Sequence, residues 1–249
     1  MGNPNDPQKL AELTLATKAC YDFSLAYGTP FISGKDSLYN EYLYEGKNIA
    51  IPGTLLISSV GVMPDVSKRI TMYAKKEGNL IYLVGKTYDE LGASHYYLLH
   101  NEIGKNIPQV RPEESKPSYD VLAKIASSQS GDRTILAMHD LSEGGLAVAL
   151  AEMSFSGMIG MHIDLENVLC EDNLKNDVNR ILFSESNSRI LVEVAKEKKE
   201  EFEKIMQGIN FSLIGKLKGS SLVINNESEK IVDEDLRELK KSWKETLNW

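Results

Sequence analysis

Cysteine is scarce in this chain: Cys20 and Cys170 are the only two among 249 residues, and they fall at no paired spacing. That excludes a disulfide framework and a zinc ribbon, which both need several cysteines at set intervals. Long apolar runs are also missing. Runs such as Leu55-Leu56-Ile57 and Ile81-Tyr82-Leu83-Val84 are strand-sized, and even Leu146-Ala147-Val148-Ala149-Leu150-Ala151 has only six residues, far short of the ~20 residues a membrane helix needs. The opening Gly2-Asn3-Pro4-Asn5-Asp6-Pro7 lacks the basic-then-apolar pattern of a secretory signal. Positive charge is in deficit, with a net charge of −8. A nucleic-acid binder would normally carry a basic stripe. Here the lysine-rich stretches (196–200 and 240–241) are interleaved with acids, as on a solvated helix face. Composition therefore points to a cytoplasmic protein with no membrane and no nucleic acid among its partners. An anionic ligand would have to be held by local backbone N–H groups, a lysine or a metal.

Signs of nucleophilic catalysis are absent too. No Gly-x-Ser-x-Gly elbow occurs, Cys20 falls on the apolar face of a helix, and Cys170 lies in an acidic stretch that disfavours its thiolate.

What is present is an ordinary globular composition, 42% hydrophobic and 26% charged, long enough for one large domain or two modest ones. Asn5 or Asp6 can cap a helix from Pro7, with Leu10, Leu13, Ala16, Cys20, Phe23 and Tyr27 on one face and Gly28-Thr29-Pro30 as its stop. Phe31-Ile32 reads as a short strand before a polar turn at 33–37. A hairpin is expected around Glu45-Gly46 and a buried strand over Thr54–Val62. A second unit opens near Gly78. It reads as strand 79–84, helix 94–100, a proline-rich loop 108–117, helix 118–128, strand 134–138, helix 144–155, strand 189–194, helix 196–206, and strands near 211–217 and 221–225. Alternating strands and helices place the fold in the α/β or α+β class.

Four segments carry groups that can do chemistry. In Ile32-Ser33-Gly34-Lys35-Asp36-Ser37-Leu38 a glycine, a cation, a carboxylate and hydroxyls share one turn, the parts a phosphate and magnesium site needs. It is not a P-loop: five residues separate Gly28 from Gly34, and Asp36 rather than Ser or Thr follows Lys35. A plain polar turn is the alternative. In His139-Asp140-Leu141-Ser142-Glu143-Gly144-Gly145, Asp140 or Ser142 would cap the following helix, whose first N–H groups could receive an anion. His139 and Asp140 form either an acid/base pair or a structural hydrogen bond. Phe183-Ser184-Glu185-Ser186-Asn187-Ser188-Arg189 could line a polar ligand or form a solvated turn. Asp89-Glu90-Leu91-Gly92-Ala93-Ser94-His95-Tyr96-Tyr97 reads as a helix start with acids in its first turn and aromatics packing inward.

In this order the four segments resemble the phosphoribosylformylglycinamidine synthase family, and within it the second of two homologous halves. The likeness runs from Gly2 to about Trp249. It implies an N-terminal synthase-like α+β domain over 1–75, incomplete at its start, whose sheet packs on a partner sheet. A C-terminal α/β domain with a terminal helix would follow over 76–249. It also implies ATP and Mg2+ as cofactors and formylglycinamide ribonucleotide as substrate. The partners would be the first synthase half, in the same or a separate chain, and a glutamine amidotransferase module that supplies ammonia. A homodimer of halves is a further arrangement the resemblance allows. By the same resemblance Gly34, Lys35 and Ser37 contact nucleotide, phosphate or substrate and Asp36 holds the metal. Asp140, Gly144, Gly145, Ser184, Glu185 and Ser186 complete the nucleotide site, and no catalytic acid, base or nucleophile is assigned.

Two positions depart from the family pattern. Lys35 stands where relatives carry an asparagine whose amide lies near the metal, and Ala93 stands where a glycine is usual. Gly2-Asn3-Pro4 follows Met1 directly, where the family has preceding strands and an acidic segment. The chain is accordingly expected to be a split product or a truncation, inactive alone. The alternatives are a non-catalytic half that binds nucleotide or docks its partner, and an ATP-using small-molecule kinase.

Overall fold

The computed structural model describes residues 1–129 and 131–247. The expected end of the second domain at Trp249 lies outside the described residues. Two compact units divide the chain, Met1–Pro64 and Asp65 onward.

The first unit opens with helix α1, Pro7–Tyr27. The Asp6 carboxylate accepts the N–H of Gln8, and Gly28 ends the helix in the left-handed region. No residue of α1 is fully buried: along the apolar face expected from its spacing, Leu13, Ala16, Cys20, Phe23 and Tyr27 are half-buried and Leu10 is exposed. Strands β1 (Glu41–Tyr44) and β2 (Lys47–Ala50) pair in an antiparallel hairpin. Its turn residues Glu45 and Gly46 have φ of 47° and 75°, the left-handed pair that matches strand twist. Two expected strands are corrected. Phe31-Ile32 and Thr54–Val62 form no strand, and Ile32, Leu56, Val60 and Val62 are exposed. A β-prone run orders only when a neighbouring strand takes its N–H and C=O groups. Among the described residues this unit offers no such neighbour beyond the hairpin.

The second unit is a mixed seven-stranded sheet. Its strands are β3 (Leu80–Val84), β4 (Ile135–Asp140), β5 (Met161–Asp164), β6 (Ile190–Val194), β7 (Phe211–Leu217), β8 (Ser221–Asn226) and β9 (Glu229–Asp235), in the order β4-β6-β3-β7-β5-β8-β9. Only β5 and β8 run parallel. Alternation along β3 sends Ile81 and Leu83 to one face and Tyr82 and Val84 to the other. Helices α4 (Gly145–Gly157), α5 (Val178–Phe183) and α7 (Leu236–Glu245) cover the first face. The second is covered by α3 (Pro112–Ser128) and α6 (Lys199–Ile205). A short helix, α2 (His95–Leu99), lies in the loop after β3. The class is thus mixed α/β, with both faces of the sheet buried.

Helix α3 begins at Pro112, inside the stretch expected to be a loop. Pro112 tolerates the first helical position, where its missing N–H costs nothing. Residues 65–75 pack with the second unit: Ala74 N–H donates to Met153 O at 3.0 Å, and Thr71 bridges Ala137.

Candidate functional site

Register explains how three distant motifs meet. Ile190 of β6 lies opposite Val84 of β3 on one side and Asp140 of β4 on the other. The loop leaving β3 (85–94), the loop leaving β4 (141–144) and the loop entering β6 (184–189) therefore emerge together. Adjacent strands are only about 4.8 Å apart.

Glu185 joins the three. Its Oε1 accepts the N–H of Gly144 at 2.8 Å and the N–H of His95 at 3.0 Å, and its own N–H donates to Glu90 O at 3.1 Å. The imidazole Nδ1 of His95 lies 3.7 Å from the same carboxylate oxygen. The α4 start therefore carries an anion, as its geometry favours, and that anion is Glu185. Neither Asp140 nor Ser142 caps the helix: Gly144 occupies the cap position, left-handed at φ 80°, with no side-chain bond of its own. Gly145 follows at φ +61°, and a Cβ there would lie 2.5 Å from Ser184 O. Only glycine permits α4 to begin this close to the serine loop.

The two serines act differently. Ser186 Oγ accepts Tyr88 N–H at 3.0 Å and donates to Tyr88 O at 3.3 Å, while Ser184 Oγ accepts Glu90 N–H at 3.4 Å. Both are buried. Asp140 projects into solvent with its side chain 83% exposed, 3.8 Å from His139 Nδ1. The stronger partner of His139 is Glu152 on α4, at 2.8 Å from Nε2, which favours the structural reading of that histidine.

Arg189 was missed as a site residue because arginine is rarely fully buried. It is 1% exposed. Its Nε donates to Ser186 O at 3.0 Å, one terminal nitrogen to Thr87 Oγ1 at 3.0 Å, and the other to Ser184 O. Burial pushes its guanidinium down to about 10, opposed by the charges of Glu90 and Glu185. Glu90 is buried as well. Its Oε1 accepts Arg111 at 2.7 Å and Gln109 N–H at 3.1 Å, whereas Oε2 has no hydrogen-bond partner. The Arg111 guanidinium also stacks 3.6 Å from the Tyr88 ring, whose hydroxyl bonds Glu114.

In the first unit the turn 33–37 is exposed throughout. The Met1 ammonium donates to Ser37 O at 3.1 Å, and Tyr39 N–H and Asn40 N–H donate to Gly2 O and Met1 O. These bonds fix the C-terminal end of the turn. Lys35 Nζ donates to Ser37 Oγ at 2.6 Å, and nothing would obstruct a Cβ at Gly34 within 4 Å. The backbone at Gly34 is thus open to a ligand. Among the described residues no group of three or more His, Cys, Asp or Glu could hold a metal by itself. Asp36 is a lone exposed carboxylate, which suits a magnesium ion that keeps its waters and phosphate ligands.

A mixed sheet layered on both faces by helices, with three polar loops gathered at the ends of adjacent strands, is an α/β architecture suited to binding at strand ends. Residues 76–224 match the family described as AIR synthase related protein, C-terminal domain, and the chain belongs to that family. Two similar relatives are phosphoribosylformylglycinamidine synthase subunits PurL. The one from Thermoplasma acidophilum is 32% identical over 99% of this chain and 31% of its own length. The one from Methanocaldococcus jannaschii is 33% identical over 99% of this chain and 33% of its own. The chain thus spans about a third of the length of the curated relatives it matches. Among solved structures, Thermotoga maritima PurL complexed with FGAR has a TM-score of 0.60 at 16% identity, covering 70% of this chain and 30% of that one. The same protein complexed with ATP gives 0.56, again at 16% identity, covering 70% and 27%. These structures share the fold.

Proposed function

We propose that this chain is part of an ATP-dependent carbon–nitrogen ligase. The ligase would convert formylglycinamide ribonucleotide to formylglycinamidine ribonucleotide, with ammonia drawn from glutamine, in purine biosynthesis in the cytoplasm. The observation that carries this reading is the likeness of 99% of the chain to PurL subunits at 32–33% identity. Residues 1–75 would be its synthase-like α+β part and 76–249 its α/β part. The first synthase half and a glutamine amidotransferase module would be its partners, and the solved PurLQS assembly from T. maritima supports partner subunits.

Bound ATP with magnesium would supply the phosphoryl group that turns the substrate's amide oxygen into a leaving group, which ammonia then displaces. The residues suit positioning and charge neutralisation, which dominate phosphoryl transfer. Gly34 opens its backbone to phosphate oxygens, Lys35 offsets their charge, Asp36 would hold the metal and Ser37 would orient phosphate or substrate. In the second unit Asp140 is a solvent-facing carboxylate beside the loop that leaves β4. Gly144, Gly145, Ser184, Glu185 and Ser186 form a satisfied frame that sets the shape of the loops.

One observation favours a second reading. Glu185 already fills the anion position at the start of α4. A half that docks its partner or binds nucleotide without catalysis would keep such a closed frame. The test is amidine formation from formylglycinamide ribonucleotide, ATP and ammonium by the chain combined with a first synthase half. The ligase reading expects turnover that depends on both parts. Phosphorylation of a small-molecule acceptor without amidine formation would favour the kinase alternative and overturn it.

A further inference from the structure

We propose that Arg189 is the positioning residue of the three-loop cluster, acting through Glu185. A fully buried cation is expensive, and such charges are normally paired directly with carboxylates. Among the described residues none lies within ion-pair distance of Arg189. The guanidinium instead spends its fork on neutral acceptors, the carbonyls of Ser184 and Ser186 and the hydroxyl of Thr87. Those carbonyls flank Glu185 on either side. Gripping both fixes the peptide units that carry Glu185, and so fixes where its carboxylate points.

The other contacts of Arg189 extend the same grip. Its carbonyl accepts Leu141 N–H at 3.0 Å, at the root of the β4 loop. Its Cγ lies 3.0 Å from where a Cβ on Gly85 would sit, so the β3 loop closes directly over it. One residue thus touches all three loops, its side chain the β3 and β6 loops and its backbone carbonyl the β4 loop, and Glu185 passes its placement on to Gly144 and His95. Arginine suits this role because its planar fork sets two directions at once, whereas lysine is a point charge. A cation that served only stability would be replaceable by apolar packing, which does not hold two carbonyls at a set angle.

The link to turnover rests on the ligase reading; the link to Glu185 does not. The first experiment is therefore backbone amide exchange on the full chain carrying R189K. Exchange at Gly144 and His95 should accelerate at least tenfold, while Tyr82 and Val192 in the central strands stay within twofold. Uniform acceleration at all four would show a merely global role and overturn the proposal. Should R189K not fold, the near-isosteric Thr87→Val removes one acceptor of the fork. It should give the same selectivity at smaller amplitude, and the absence of selectivity would overturn the proposal equally. In the reassembled ligase, R189K and E185Q should each lower kcat about tenfold, and the double variant no further than the worse single. A multiplicative, roughly hundredfold loss would show that Arg189 does not act through Glu185. If the native chain forms no amidine at all, the ligase reading fails while the exchange result still decides the role of Arg189.

Discussion

The carboxylate of Glu185 accepts the backbone N–H of Gly144 at 2.8 Å across 41 residues of sequence. That bond closes the start of a helix whose own sequence supplies no cap. It also ties the serine loop to the glycine pair, so its loss should be felt by both.

Glu185→Gln keeps the shape and an acceptor but removes the charge. Charge-assisted bonds are roughly twice as strong as neutral ones, so a loss of about 1 kcal/mol is expected. Urea unfolding at pH 7 should show a lower midpoint with an unchanged slope. An unchanged midpoint would mean that the helix start is satisfied another way.

Gly145→Ala should be far more costly. The residue sits at φ +61° and its Cβ would meet Ser184 O at 2.5 Å. Left-handed strain and overpacking together suggest about 3 kcal/mol. A thermal midpoint within a degree or two of the native value would contradict this geometry.

Ala93→Gly is expected to stabilise. Ala93 is exposed at φ 59°, in the left-handed region where a side chain is strained. Relief of that strain outweighs the added freedom of the unfolded chain, for a net gain of up to about 1 kcal/mol. A fall in the urea midpoint would show that the loop tolerates alanine without strain.

Lys75 gives a pH dependence of definite sign. Desolvation pushes its ammonium down to about 8, against the pull of Glu193. The folded state thus releases its proton first. Between about 8 and the ordinary lysine value of 10.5 the unfolded chain binds more protons, and this residue's contribution to stability rises with pH. Native minus Lys75→Gln stability should climb through that window, and a flat or falling difference would contradict the assignment.

Much of the second unit was legible because its strands alternate cleanly: Ile81 and Leu83 against Tyr82 and Val84 need no tertiary information. Strand β9 was not legible. Its Glu229–Asp235 sequence is mostly charged, as suits a sheet edge. Strand β5 spans only Met161–Asp164, too short for a pattern to declare itself. Thr54–Val62 shows the opposite failure, since an apolar run records a preference for pairing but cannot provide the neighbour. In the site, Gly144 and Gly145 announced a helix start from sequence. The residue that caps it did not, because Glu185 reaches α4 only through the register of β6 beside β4. Arg189 stayed hidden for the same reason: its burial is a property of three loops together.

The most direct test of the ligase account is the turnover of Asp36→Ala in the chain reassembled with a first synthase half, assayed for amidine formation with ATP, magnesium and ammonium. Asp36 lies exposed in the open turn 33–37, so its removal should leave the melting temperature unchanged within a degree or two. The account predicts that kcat falls at least a hundredfold with the fold intact. Turnover equal to that of the native chain would contradict it.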